Sequence, residues 1–160
     1  MAIAGPNEPF LDREPYSAVR FHMSRTPRKG AEEARNQLPD LLAAAGLPNR
    51  ALVLLDSAPI IYVLEGHPKF AAYFAPLFQT HAAGDIRFAV TTVAICEVLT
   101  GPLKARDDAR VRRYRGVFST WQVVDLDADI AESAARFRSS LRLAVPDAVQ
   151  VASALAINAD

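Results

Sequence analysis

Three acidic side chains lie where a predicted strand ends or a predicted helix begins. Asp56 closes the apolar run ALVLLD, Glu97 lies in the largely apolar segment TTVAICEVL, and Asp147 directly follows Pro146 at the start of the last predicted helix. Each also has an ordinary structural interpretation. Asp56 would cap a helix, Glu97 would occupy the exposed face of an amphipathic helix, and Asp147 would belong to a helix start.

Carboxylates gathered in one pocket favour the binding of a proton or a cation. Two unit charges about 4 Å apart repel each other by roughly 4 kcal/mol at an effective dielectric constant of about 20. A site built only of carboxylate oxygens favours Mg²⁺ or Mn²⁺ over zinc, because these hard cations prefer oxygen ligands. Such a cation lowers the pKa of a bound water and stabilises charge on phosphoryl oxygens. The three acids therefore indicate phosphodiester hydrolysis.

The elements that must position these acids alternate along the chain. Short apolar runs predict strands at 51–56, 87–92 and 121–126. Periodic apolar positions predict helices at about 57–65, 69–82, 93–99 and 104–118, and two more that follow residues 129 and 147. This alternation predicts an α/β fold with a parallel sheet between helices, and ligands of such sheets bind beyond the carboxyl ends of the strands.

Composition separates a proline-containing N-terminal part from this regular part. We predict an extension over residues 1–50, partly disordered and with one helix at 31–45, and an α/β domain over residues 51–160. Eighteen basic and eighteen acidic residues cancel, which excludes a protein that coats nucleic acid through bulk charge. A single cysteine excludes an intrachain disulfide framework. With no apolar run long enough to cross a membrane and no secretory signal, a cytoplasmic protein is expected.

Three blocks of the chain resemble the motif blocks of PIN-domain ribonucleases, in particular the VapC-type toxins of toxin–antitoxin systems. The blocks are LLDSAPIIYVLEGHP, TTVAICEVLTGPL and LRLAVPDAVQVASALAINAD, and they occur in the order that the family shows. The resemblance implies a PIN-like three-layer α/β/α domain. By the same resemblance, the catalytic and metal-binding acids are Asp56, Glu97 and Asp147. Hydroxyl residues that flank the site and contact substrate are then Ser57 and Thr92.

The resemblance also implies an activity and partners. The activity is Mg²⁺- or Mn²⁺-dependent cleavage of RNA, of the tRNA or ribosomal RNA class, and the partners are a cognate antitoxin and a second copy of the chain. The family's last strand and its Thr/Ser-Asn-Asp segment, which supplies a fourth acid, have no counterpart in the sequence. We therefore expect weakened or absent activity, and the alternative is a non-catalytic, truncated PIN fold that binds an antitoxin. The same acids would also suit a metal-dependent phosphatase or deoxyribonuclease.

Two further segments have a functional and a structural interpretation each. In KARDDARVRRYRG, Arg110 and Arg113 share a predicted helical face with Arg106, and this face would follow an RNA backbone. A solvated helix with Asp–Arg pairs explains the segment equally well. The EEARNQLPDLL segment resembles the opening helix of Phd/YefM-type antitoxins, and the alternative there is a plain appended helix.

Overall fold

The computed structural model describes residues 47–160, so the predicted helix at 31–45 and its antitoxin-like segment lie outside the described residues. The strands are β1 Leu52–Leu55, β2 Arg87–Thr91 and β3 Gln122–Val124. The helices are α1 Ser57–Leu64, α2 Ala71–Ala83, α3 Thr92–Lys104, α4 Asp108–Phe118, α5 Ala128–Leu141 and α6 Val145–Ala156. Within this range no helix has the length and apolar character needed to cross a membrane.

The described strands form one sheet in the order β1-β2-β3, and the sheet is parallel, as predicted. Leu55 pairs with Val90 and Thr91 pairs with Val124, so the strands end at similar heights. Because parallel strands share one carboxyl edge, Asp56 and Thr91 lie at the same edge of the sheet. The register therefore sets the level at which α1 and α3 begin.

Apolar side chains alternate between the two faces of the sheet. Phe88 and Val90 pack on one face with side chains from α1 to α4, whereas Ala89 packs on the opposite face with α5 and α6. Successive side chains of a strand point to opposite faces of the sheet. When helices cover both faces, nearly every side chain of the strand is buried, so the strand sequence is largely apolar. The predicted three-layer α/β/α arrangement is confirmed.

Side-chain caps fix where two of the helices begin. Asp107 accepts a hydrogen bond from the Arg110 amide at 2.9 Å, and Asp127 accepts one from the Ile130 amide at 2.8 Å. The charged helix predicted from residue 104 therefore begins later, at Asp108. Arg106 lies outside it with a φ of 54°, a left-handed conformation that interrupts a helix. The preceding helix is longer than predicted, because it continues through Pro102 to Lys104.

The free side of β1 is bounded by the last residue of the chain. The backbone N–H of Asp160 donates to the Leu52 carbonyl at 3.0 Å, and the Asp160 carboxylate accepts from the Leu52 N–H at 3.0 Å. Both outward-facing backbone groups of Leu52 are thus satisfied. Leu54, two residues further along, borders the cleft described below.

His81 packs in an aromatic cluster beside β2. Its ring stacks on Phe88 with 4.2 Å between centroids, and its Nδ1 lies 3.2 Å from the Ile86 carbonyl oxygen. Burial lowers the pKa of His81, and the Ile86 carbonyl opposes this effect more weakly. The folded protein therefore favours the neutral ring.

Acid should destabilise the protein through His81. Since the folded-state pKa lies below the ordinary value of 6.5, the unfolded chain takes up the proton first. The stabilisation is fully present above pH 6.5 and is lost as the pH falls through the folded-state value. We expect His81→Asn, which keeps a donor for Ile86, to show a weaker pH dependence of the unfolding free energy between pH 8 and 5. Parallel curves for the two proteins, measured by urea denaturation, would exclude His81 as the cause.

Candidate active site

Asp56 lies at the carboxyl end of β1 and also caps α1. Its backbone is extended, its side chain is exposed, and its Oδ1 accepts a hydrogen bond from the Ser57 N–H at 2.7 Å. The structural interpretation of Asp56 as a cap is therefore confirmed. The cap uses only Oδ1, so the other carboxylate oxygen of Asp56 can contact a ligand.

Gln150 connects Asp56 to α6, and sequence analysis missed it. Its Nε2 donates to Asp56 Oδ1 at 3.0 Å across 94 positions of the chain. Gln150 lies three residues after Asp147, and residues at this spacing share a helix face. The sequence contains a signal for this residue. Gln150 is polar in the largely apolar stretch AVQVASALA, and it lies three positions after Asp147, where a neighbour on the same helix face is expected.

A cleft of about 230 Å³ opens beside these two side chains. It lies between the end of β1 and the outer face of α6, and its lining residues are Leu54, Asp56, Gln150, Val151 and Ala154. The walls are largely apolar, and the polar groups come from Asp56 and Gln150. The cleft is open to solvent, so the edge predicted from the sheet topology is an accessible one.

Thr91 and Thr92 form the beginning of α3 at the same edge. The buried Thr91 hydroxyl accepts a hydrogen bond from the Ala94 N–H at 3.0 Å and so caps the helix. Thr92 is the first helical residue and is half-buried. The Thr91 hydroxyl therefore has a structural role as the cap of α3.

Glu97 lies further along α3 and is exposed. Its apolar sequence surroundings argued against a solvated position, but the helix is amphipathic. Ala94, Val98 and Leu99 face the core, whereas Cys96 and Glu97 face outward. At about 1.5 Å of rise per residue, Glu97 stands roughly 8 Å along the helix from its first residue. Its carboxylate therefore has to reach back towards the sheet edge to join Asp56.

Asp147 lies in the first turn of α6 and is exposed. Ala144 precedes this helix and offers no side-chain cap, so the negative charge of Asp147 is favourably placed near the positive end of the helix dipole. The hydrogen bond from Gln150 to Asp56 joins the middle of α6 to the end of β1, and Asp147 lies three residues before Gln150 on this helix.

The donor set suits a hard cation, although its side chains are not gathered as a closed group. Over residues 47–160, no three His, Cys, Asp or Glu side chains form a metal-binding group as they stand. In the same range no Lys, Arg or His forms an ion pair with the predicted carboxylates, and the ion pairs found join arginine to other acids. Carboxylate oxygen donors match Mg²⁺ or Mn²⁺. The three-carboxylate site stays a prediction.

The two predicted RNA-binding arginines make contacts within the protein. Arg110 forms an ion pair with Asp107 at 3.2 Å, as the structural interpretation of the segment expected, and lies 4.0 Å from Glu65. Arg113 donates to the Leu64 carbonyl at 3.4 Å and lies over the Tyr114 ring, 5.3 Å from its centroid. Arg106 is not part of their helix, so the predicted face has two of its three arginines.

The buried Tyr114 lies beneath this polar cluster. Its hydroxyl lies 3.5 Å from Glu65 Oε1, and burial, together with the charge of Glu65, raises the pKa of Tyr114. The hydroxyl therefore stays protonated and available as a donor. The contacts of Tyr114 and Arg110 with Glu65 connect the end of α1 to α4. Arg110 therefore has a structural role within the protein, whether or not it also contacts RNA.

Removing the Thr91 hydroxyl should destabilise the protein. Thr91→Val keeps the shape of the side chain but leaves the Ala94 N–H without its acceptor, and loss of a helix cap typically costs about 1 kcal/mol. Thr91→Ser keeps the hydroxyl and is the matched control, for which a smaller loss is expected. Urea denaturation measures both. Equal losses would mean that the methyl group, and not the cap, stabilises this helix start.

Comparisons with known proteins agree with the fold. The model of the family described as PIN domain matches residues 53–160. A toxin–antitoxin complex from Klebsiella pneumoniae has 24% sequence identity and a TM-score of 0.53, over 68% of this chain and 82% of that chain. VapBC2 from Rickettsia felis, bound to a DNA fragment from their promoter, has 18% identity and a TM-score of 0.55, over 68% and 83% of the two chains. No curated protein has significant sequence similarity to the chain. At these identities the structural likeness shows the fold.

Proposed function

Because this chain belongs to the PIN domain family, we propose that it is a metal-dependent endoribonuclease of the VapC toxin type. The observation that most supports the proposal is the position of Asp56. This carboxylate is exposed at the carboxyl end of β1, beside a cleft, and is hydrogen-bonded to the helix that carries Asp147. Ligands of α/β sheets bind at this edge.

In the proposed site, Asp56, Glu97 and Asp147 hold Mg²⁺ or Mn²⁺. Such a cation, when bound, lowers the pKa of water and stabilises negative charge on phosphoryl oxygens. Ser57 and Thr92 are the first residues of α1 and α3, and we assign them to substrate contact because both lie at this edge. Leu54 and Val151 form an apolar wall on one side of the cleft.

The proposed partners follow from the family and from the neighbours' titles. One structural neighbour is a toxin–antitoxin complex and another is VapBC2, and we propose that this chain also binds an antitoxin and forms a homodimer. Its substrate would be RNA of the tRNA or ribosomal RNA class, and the cytoplasm is the compartment that such a substrate implies. Residues 1–50 are proposed as a separate N-terminal extension.

The proposal predicts cleavage of RNA that depends on a divalent cation and on Asp56. Asp56→Asn removes the charge but keeps an oxygen for the Ser57 N–H, so α1 keeps its cap. We expect a loss of activity beyond about 100-fold, since changes in the second shell of a metal site alone typically cost about 10- to 100-fold. The measurement is cleavage of total RNA and of tRNA with Mn²⁺, Mg²⁺ or a chelator, with circular dichroism as the control for folding.

Two outcomes would contradict the proposal. Cleavage that persists unchanged in Asp56→Asn would assign the activity to a contaminant or to another site. A folded protein that cleaves no RNA and binds no Mn²⁺, yet captures an antitoxin, would instead establish the non-catalytic binding module.

A separate prediction tests Arg110 as a contact to RNA. Each phosphate contact that is lost lowers the slope of log K against log salt by about 0.7 to 0.9. We expect this change for Arg110→Gln, measured by fluorescence anisotropy with an RNA oligonucleotide and catalytically inactive protein. Arg112→Gln is the matched control, since Arg112 is exposed on another side of the same helix. Equal slopes for the two variants would leave Arg110 with its structural ion pairs only.

A further inference from the structure

Gln150 occupies a position where an apolar residue would be the ordinary choice. It lies on α6 and is half-buried, and its neighbours Val149 and Ala152 are buried in the core. Its side chain extends to the cleft that Leu54 and Val151 line. A polar side chain in such surroundings is retained for a specific interaction, because burying an amide is unfavourable without hydrogen bonds.

The interaction that it makes involves one particular oxygen of Asp56. Oδ1 accepts from the Ser57 N–H at 2.7 Å and from Gln150 Nε2 at 3.0 Å. Among residues 47–160, no hydrogen bond to Oδ2 is present. Two donors on a single oxygen fix the plane and the rotation of the carboxylate, so Oδ2 is the oxygen left for a ligand.

The other end of the Gln150 amide supports the same interpretation. Its Oε1 is buried and has no hydrogen-bond partner in the described part of the chain. Rotation of the amide by half a turn would place Oε1 against the carboxylate oxygen of Asp56, where two acceptors repel. The amide therefore keeps an orientation that leaves one of its own atoms unsatisfied, and the contact with Asp56 determines that orientation. Unsatisfied buried polar atoms are uncommon in native proteins, and here the contact with Asp56 accounts for one of them.

We propose that Gln150 is a positioning residue that orients Asp56 so that Oδ2 binds the divalent cation. The same hydrogen bond holds α6, and with it Asp147, at the edge where β1 ends. This inference rests on the proposed function, because it assigns Asp56 to a cation. It adds which oxygen of Asp56 binds and which residue holds it in place.

Mn²⁺ binding to Gln150→Met tests the proposal. Methionine has a similar length and fits the apolar surroundings but donates no hydrogen bond. We expect Mn²⁺ to bind about 10- to 100-fold more weakly than to the unaltered chain, the usual effect of losing an outer partner of a metal ligand. Isothermal titration calorimetry measures the affinity, and urea denaturation without metal measures stability. Gln79→Met, at an exposed position of α2, is the matched control and should bind normally.

A spectroscopic measurement keeps the test independent of how well the variant folds. In the unaltered chain, NMR follows the side-chain amide signal of Gln150. Asp56→Ala should shift this signal, and substoichiometric Mn²⁺ should broaden it far more than the amide signal of Gln79. The broadening reports that the cation lies beside Gln150, and weaker Mn²⁺ binding by Gln150→Met at unchanged stability reports that Gln150 positions its ligand.

The outcomes separate the inference from the proposed function. Normal Mn²⁺ affinity of Gln150→Met, or a Gln150 signal that Mn²⁺ does not broaden although the chain binds it, overturns the inference and leaves the nuclease proposal standing. An unaltered chain that binds no Mn²⁺ overturns both. Weaker binding by Gln150→Met, normal binding by Gln79→Met and selective broadening together support the assignment.

Discussion

The parallel register of β1 against β2 is the constraint on which the candidate site depends. Because Leu55 is level with Val90, the next residue along each chain segment, Asp56 after β1 and Thr91 as the last residue of β2, arrives at the same edge of the sheet. Each then caps a helix that leaves this edge. A slip of one residue would turn side chains to the opposite faces of the sheet and separate the two helix starts, so burial of the strand side chains also protects the site.

The fold was largely predictable because its local signals agree with its packing. The strand at residues 87–91 is apolar between Arg87 and Thr91, as expected of a strand covered on both faces, and the structure confirms it. The exceptions have local causes. Arg106 adopts a left-handed backbone conformation, which an arginine in the sequence does not indicate. Helix α3 continues through Pro102, although proline is unfavourable inside a helix.

The site was predictable only in part, since its residues come from distant parts of the chain. Asp56 and Asp147 could be placed at the edge because strand ends and helix starts have sequence signals. The exposure of Glu97 could not be read from its apolar neighbours, because the choice of outward face depends on how α3 packs. Gln150 was missed because its partner is 94 residues away and glutamine by itself indicates no chemistry.

Asp160 has a consequence for the behaviour of the protein at high concentration. An open edge of a sheet is a template onto which a strand of another molecule can add, and such additions lead to aggregation. At Leu52 the backbone groups that would start this addition are already bonded to Asp160, whose carboxylate also brings a charge to the edge. A strand of another molecule would therefore have to displace Asp160 before it could pair with the backbone of Leu52.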